Sequence, residues 1–376
     1  MNSIFYEKSI AVILENQHEH GGYIACPNFK QYQYYWFRDG SFIAYAMDIA
    51  GQLNSSQRFH QWAVQTILRN KAKIMAAAEK VKGGEMASIT DFLHCRFNAN
   101  GSDAEGDWAY HQLDGIGSWL WSFSQHFRLS GRTHLTAPED EAISLACLYL
   151  QALWNTPCYD CWEENGNAIH TYTLAAIYGG FHEINKIKPL ENGIASSQQI
   201  QEFIFQNQFQ DGVFRKSSKD HGVDANLLGL VFPFKLIEPN STLFEKTLQA
   251  IEVDLLTSQY GLHRYSDDSY YGGGEWILLS AWLGCVYMIQ HKVAQAIEIL
   301  AWVESQITPK GYLPEQSGAG FSNARCFHFW MKKWGTIASP LLWSHAMYII
   351  LYQSIKQYHD TMGLRLENKP HIINRR

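Results

Sequence analysis

Two short segments of the chain place carboxyl groups among aromatic rings. One is Asp160-Cys161-Trp162-Glu163-Glu164-Asn165-Gly166 and the other is Leu313-Pro314-Glu315-Gln316, just after Gly311-Tyr312. A third, Tyr32-Gln33-Tyr34-Tyr35-Trp36-Phe37-Arg38-Asp39, sets stacking rings beside a fixed cation and an anion. Two carboxyl groups flanking a bond are what acid–base hydrolysis of a glycoside needs. A sugar ring has an apolar C–H face and a rim of hydroxyls, so its site must supply both aromatic faces and charged hydrogen-bonding groups. The three segments together therefore point to carbohydrate chemistry. Taken alone, each has a plainer reading: a Glu-Glu pair is usually a solvated face, and Arg-Asp is often a structural ion pair.

These groups must be carried on loops between helices, because the dominant hydrophobic period of the chain is helical. Residues 57–70 place Phe59, Trp62, Ala63 and Ile67 on one stripe, and residues 293–303 do the same with Val293, Ala296, Ile297, Leu300 and Val303. Residues 276–289 and 340–352 are apolar almost all round, which marks buried helices. Buried and amphipathic stretches alternate: 40–50 then 57–71, 111–127 then 139–153, 168–184 then 197–206, 276–289 then 293–306. Further helices are expected at 5–16, 224–231, 243–255 and 340–357. About a dozen helices in alternating layers predict an all-α fold, a double-layered α/α barrel with its inner ring buried. Strand signals are few, and no linker or composition shift divides the chain, so residues 1–376 are expected to form one domain. Tyr271-Gly272-Gly273-Gly274-Glu275 lacks the Gly-Lys-Ser/Thr of a phosphate loop and predicts a tight turn with close backbone approach.

Composition narrows the partners. The 376 residues are 46% hydrophobic, 14% aromatic and only 18% charged, against roughly 25% charged in ordinary globular chains. A net charge of −6 with no basic stripe argues against nucleic acid, whose phosphates need a basic surface. An uncharged ligand fits better, here a small oligosaccharide. No run of apolar residues is long enough for a membrane span, and residues 1–20 do not read as a signal peptide. Seven scattered Cys form no disulfide framework and suit a reducing cytoplasm. Cys158-x-x-Cys161 has no second pair or nearby His pair to complete a zinc site, and the His residues lack metal-ligand spacing, so neither metal nor cofactor is expected. His170 and His345 read as packed or hydrogen-bonded residues. The basic tail ending Asn374-Arg375-Arg376 is expected to fray.

Five segments, in order along the chain, resemble the glucoamylase-type glycoside hydrolases of family 15. They are Tyr32-x-Tyr-x-Trp36-x-Arg38-Asp39, Trp108-Ala-Tyr-His-Gln112-Leu-Asp114-Gly115, and Trp162-Glu163-Glu164-x-Gly166. Next come Arg264-Tyr265-x-Asp267-Asp268 running into Tyr271-Gly272-Gly273-Gly274-Glu275-Trp276, and Leu313-Pro314-Glu315-Gln316 followed by Leu342-Trp343-Ser344-His345-Ala346. The resemblance implies an (α/α)6 barrel and an inverting, exo-acting α-glucosidase. It implies Glu163 as general acid, Glu315 as general base, and Tyr32 as a ring that helps place the attacking water. Arg38 and Asp39 match the pair that grips the terminal glucose. Trp36 belongs to the same segment, while Trp108, Trp162, Glu164 and Arg264 match groups around the cleavage point, and Trp343 a ring of the pocket wall. Inversion implies carboxyl groups roughly 6.5–9.5 Å apart with water between them. The acid must stay protonated, and Glu164 beside Glu163 is expected to push its pKa up by like charge.

The chain departs from the pattern at Gly274-Glu275, where fungal members carry Asn-Pro, and at Cys161, where an aliphatic residue is usual. It starts only some 30 residues before the first motif, without the accessory domains of secreted starch degraders. These features predict a preference for isomaltose and short α-1,6-linked chains. The alternatives are α-1,4 glucoamylase or trehalase-type activity, and, in a different class, a non-catalytic sugar-binding barrel. No sequence feature fixes an oligomeric state.

Overall fold

The computed structural model describes residues 1–190 and 192–363. The basic tail lies outside them. Among the described residues there are thirteen α-helices. In chain order these are α1 (Ser3–Glu15), α2 (Phe37–Ile49), α3 (Leu53–Arg69), α4 (Lys71–Lys82), α5 (Asp114–Leu129), α6 (Ala137–Leu153) and α7 (Thr171–Ile184). They are followed by α8 (Gly193–Asn207), α9 (Thr242–Leu255), α10 (Ile277–Ile289), α11 (Val293–Ser305), α12 (Ala324–Trp334) and α13 (Leu342–Thr361).

The inner ring closes on itself: α2 packs on α5, α5 on α7, α7 on the 3-10 segment Ala225–Leu230, that segment on α10, α10 on α13, and α13 back on α2. Helices α1, α3, α6, α8, α9 and α11 form the outer layer, each against an inner element. This is the predicted barrel. Inner α10, Ile-Leu-Leu-Ser-Ala-Trp-Leu-Gly-Cys-Val-Tyr-Met-Ile, buries every residue from Ile277 to Met288. Outer α3 buries one stripe, including Phe59, Trp62, Ala63 and Ile67, and exposes the other. The α5–α7 pair meets through small residues. A Cβ on Gly117 would stand 2.6 Å from the Ala176 backbone, so only glycine permits that approach.

Three expectations are corrected. The stretch 224–231 is a 3-10 helix rather than an α-helix, capped by the Asp224 side chain on Asn226 N–H. The helix expected from residue 168 starts at Thr171, because Ala168 and His170 pair as extended backbone with Cys158 and Ser217. Two helices were not expected at all, α4 and α12. Asn70 ends α3 and begins α4 without a Gly or Pro to mark the joint. Helix α12 sits between Gly318, Gly320 and Gly335, all at positive φ, and none of its residues is fully buried.

Outer helices α1, α6 and α9 begin with Asn2, Thr136 and Ser241, whose side chains accept from the first-turn amides. The inner helices α2, α5, α7, α10 and α13 begin with Trp36, Leu113, His170, Trp276 and Leu341, and none has a side-chain cap. In place of a side-chain cap, Thr171, Ile277 and Leu342 at the starts of α7, α10 and α13 donate to the carbonyls of Lys216, Glu315 and Ala25. No helix among the described residues is long and apolar enough to cross a membrane.

Candidate active site

A cavity of about 550 Å³ opens at the N-terminal end of the inner ring. Its wall carries Tyr32, Trp36, Arg38, Asp39, Trp108, Trp162, Glu163, Glu164, Arg264, Glu315 and Trp343, so residues singled out along more than 300 positions meet in one place.

A two-residue antiparallel pairing fixes the first wall. Tyr35 and Trp36 form strand β1 and pair antiparallel with Phe97 and Arg96 of β2 (Arg96–Phe97). That pairing sets the Trp36 indole, whose Nε1–H donates to Glu163 Oε1 at 2.8 Å. Indole is a donor only, so Oε1 is the accepting oxygen and a proton on Glu163 belongs on Oε2. Cys95 Sγ also contacts Oε1, at 3.8 Å. Glu163 itself sits at φ 68°, in the left-handed region that costs a non-glycine residue about 1–2 kcal/mol.

The Glu163 loop is held from behind by charge. Buried Asp160 accepts from the Trp162 and Glu164 amides at 2.9 Å each. Lys216, 2% exposed, lies 3.1 Å from Asp224 and 3.7 Å from Asp160. Asp224 in turn accepts from Trp162 Nε1 at 3.0 Å. Burial pushes the Asp160 carboxyl up to about 7, opposed by Lys216. Glu164 is bound by Tyr265 Oη at 2.6 Å and by Arg264 at 3.3 Å. Its charge is therefore compensated locally and does not stand as the free like charge expected beside Glu163.

Burial also raises Glu315, up to about 8, with Tyr32 and Arg264 pulling it down. Tyr32 Oη donates to Glu315 Oε1 at 3.0 Å and lies 3.0 Å from Tyr270 Oη. Glu315 Oε2 is buried without a hydrogen-bond partner among the described residues. The backbone around Glu315 is pinned by Ala338 and Ile277, and the preceding Leu313 N–H donates to His345 Nε2 at 3.0 Å. His345 and His170, which contacts the Cys158 carbonyl at 3.0 Å, are hydrogen-bonded structural residues.

At the buried end, Arg38 donates to Gln112 at 2.8 Å and to Asp114 at 3.2 Å, lies 3.5 Å from Asp39, and faces the Trp343 ring. Burial pushes Asp39 up to about 6 against the pull of Arg38. Asp39 Oδ2, Trp108 Nε1 and Trp343 Nε1 are buried without hydrogen bonds among the described residues. Orphaned polar atoms lining a cavity are what incoming hydroxyl groups satisfy.

A family model for glycosyl hydrolases family 15 matches residues 2–312. The chain belongs to this family. It is 36% identical to isomaltose glucohydrolase of Kribbella flavida over 351 residues, covering 91% of this chain and 90% of the relative. A solved glycosidase, an alanine variant in complex with glucose, superposes with a TM-score of 0.90 at 34% identity, covering 94% of this chain and 96% of that one. The glucoamylase of Saccharomycopsis fibuligera shares the fold, with a TM-score of 0.70 at 15% identity and 96% coverage of both chains. This family 15 member is thus a glycoside hydrolase with a glucoamylase-like (α/α)6 barrel.

Several cavity or support residues have no role assigned from the sequence: Asp160, Lys216, Asp224, Tyr270, Trp330 and Trp334. Asp160 falls inside the first carboxylate segment, and Trp330 and Trp334 stand at i, i+4. Among the described residues, Asp48, His60 and His126 also converge, at the C-terminal ends of α2 and α5, remote from the cavity. There His126 bridges Asp48 and Gln57 at 2.8 and 3.0 Å, and the His60 ring packs against it tilted by 33°, so the group reads as internal packing.

Proposed function

We propose that the protein is an inverting, exo-acting α-glucosidase that releases β-glucose from isomaltose and short α-1,6-linked chains, with Glu163 as general acid and Glu315 as general base. The observation that carries this reading is the complementary use of the two carboxylates. Each has one oxygen held by a ring of the same short segment, Trp36 for Glu163 and Tyr32 for Glu315, and the other oxygen left for substrate or water.

In this mechanism the proton on Glu163 Oε2 passes to the glycosidic oxygen as the bond breaks. A water held at Glu315 Oε2 loses its proton to that carboxylate and attacks the opposite face of the sugar. Burial makes Glu315 a strong base once ionised, and Tyr32 and Arg264 stabilise its anion. Arg38 and Asp39 close the buried end around the terminal glucose, which restricts attack to chain ends. Trp162, Arg264 and Glu164 surround the leaving sugar, and Trp108 and Trp343 form part of the cavity wall. The α-1,6 preference is supported by the likeness to a relative described as an isomaltose glucohydrolase. One catalytic domain is supported by a hydrophobic cluster continuous from Phe5 to Ile355. Seven unpaired cysteines support a cytoplasmic setting.

The test is twofold. Proton NMR of fresh product from isomaltose shows β-glucose first, and kcat/KM for isomaltose exceeds that for maltose. Release of α-glucose first removes inversion, and a ratio favouring maltose removes the linkage assignment.

A further inference from the structure

Helix α12 lies outside the two barrel layers and packs chiefly on the Tyr270–Gly272 segment. Its apolar residues Phe327, Trp330, Met331 and Trp334 fall at helical spacing and face inward, while Phe329 is 59% exposed. Trp330 rests on Tyr270 with ring centres 5.0 Å apart, and Trp334 on Trp330 at 4.8 Å. Both indoles line the cavity.

Trp334 also meets Trp108 from the opposite wall. The two rings are near parallel, at 24°, with centroids 6.4 Å apart. Trp108 is backed by the Arg96 guanidinium at 4.2 Å, which also stands 4.2 Å from Tyr34. A sugar stacked on a ring lies about 3.5–4 Å from its face, so sandwiching one between two rings needs roughly 7–8 Å. The Trp108–Trp334 pair is too close for that. It is a wall, not a clamp. Arg38, Asp39 and Trp343 at the other end of the cavity are buried, whereas Trp108 and Trp334 are part-exposed. The wall therefore stands on the side where the leaving part of the substrate must lie.

Resting on the glucosidase reading above, we propose that the Trp108–Trp334 pair bounds the acceptor side of the cavity, and that Trp334 selects disaccharides over longer chains. The selecting residue sits on a helix outside the two barrel layers.

The experiment compares kcat/KM for isomaltose and isomaltotriose in wild type, Trp334→Ala and Trp334→Phe, with maltose and maltotriose run in parallel. Wild type favours the disaccharide, and Trp334→Ala raises the trisaccharide-to-disaccharide ratio about ten-fold, in the range that one pocket contact supplies. Trp334→Phe, which keeps a ring on Tyr270 and Trp330, moves the ratio the same way by less; it carries the test if circular dichroism shows the alanine variant unfolded. A wild type that cleaves both lengths equally, or variants that lose both in proportion, overturns the proposal. Glucose release from isomaltose by wild type tests the glucosidase reading separately. If only the maltose pair is cleaved, the ratio is read there; if neither is, both readings fall.

Discussion

Tyr32 and Trp36, four residues apart on one segment, each donate a hydrogen bond to a different carboxylate, Tyr32 to Glu315 and Trp36 to Glu163. Their ring centroids lie 6.0 Å apart, edge to face. Glu163 and Glu315 are 152 positions apart in sequence, yet a single short segment sets their mutual placement.

Replacing either carboxylate removes proton transfer. Glu163→Gln and Glu315→Gln each lower kcat by roughly 10² or more, with circular dichroism unchanged. A substrate with a leaving group that needs no protonation, α-glucosyl fluoride, separates the two. It restores turnover in Glu163→Gln and not in Glu315→Gln; restoration in both would show that the roles are misassigned.

Glu315 must be ionised to accept a proton, and burial raises it to about 8. The acidic limb of kcat/KM in the free enzyme therefore falls well above the ordinary Glu range near pH 4–5. Tyr32 stabilises the ionised form by donation, so Tyr32→Phe moves this limb to still higher pH. A limb at pH 4–5, or one unmoved by the substitution, contradicts the assignment.

The same shift has a stability consequence of opposite sign to the usual carboxylate. Because the folded-state pKa of Glu315 lies above its unfolded value, the folded protein binds the proton more tightly. That contribution is complete below about pH 4.5 and is lost as pH rises to about 8. Glu315→Gln lacks this loss. Thermal melts of wild type fall relative to Glu315→Gln between these pH values, and the variant is the more stable above pH 8. Parallel curves across the range would exclude a raised Glu315.

Lys216 is the cation between buried Asp160 and Asp224. Lys216→Met strands both carboxylates and costs roughly 3–5 kcal/mol of stability, read as a shift in the denaturant midpoint. Adding Asp224→Asn recovers part of it. No recovery in the double variant would mean that Lys216 acts through packing alone.

Arg38→Ala and Asp39→Asn damage binding and turnover together if they grip the terminal sugar, because charge-assisted hydrogen bonds contribute about 1.5–3 kcal/mol each. Oligosaccharides blocked at the non-reducing end resist the wild-type enzyme. Rapid internal cleavage of such chains refutes exo action.

The inner ring was legible because burial on all sides writes itself as unbroken apolar sequence, as in residues 277–288. The cavity wall was legible where rings and charges share a short segment, as in Tyr32 to Asp39. What sequence concealed was compensation between distant positions. Glu164 looked like a free charge until Arg264 and Tyr265 closed on it. Lys216 carries no local signal, since its partners stand 8 and 56 residues away. Helix α12 has an ordinary amphipathic stripe, and nothing in that stripe shows that Trp330 and Trp334 line a cavity.

The uncapped starts of the inner helices help the protein tolerate its own active site. At that end Asp39, Asp114, Asp160, Glu163, Glu164, Asp224, Asp268 and Glu315 gather against Arg38, Lys216 and Arg264, so carboxyl groups outnumber cations. Each helix N-terminus carries roughly half a positive charge. The starts of α2, α10 and α13 line the cavity, and that of α5 holds Asp114 against Arg38. The barrel itself thus supplies counter-charge that no side chain provides. An acidic cap, a stabilising change on an outer helix, would here cancel part of that field and drive Glu315 and Asp39 further from ionisation. Helix stability and catalytic charge are thus linked through the fields of the same helix ends.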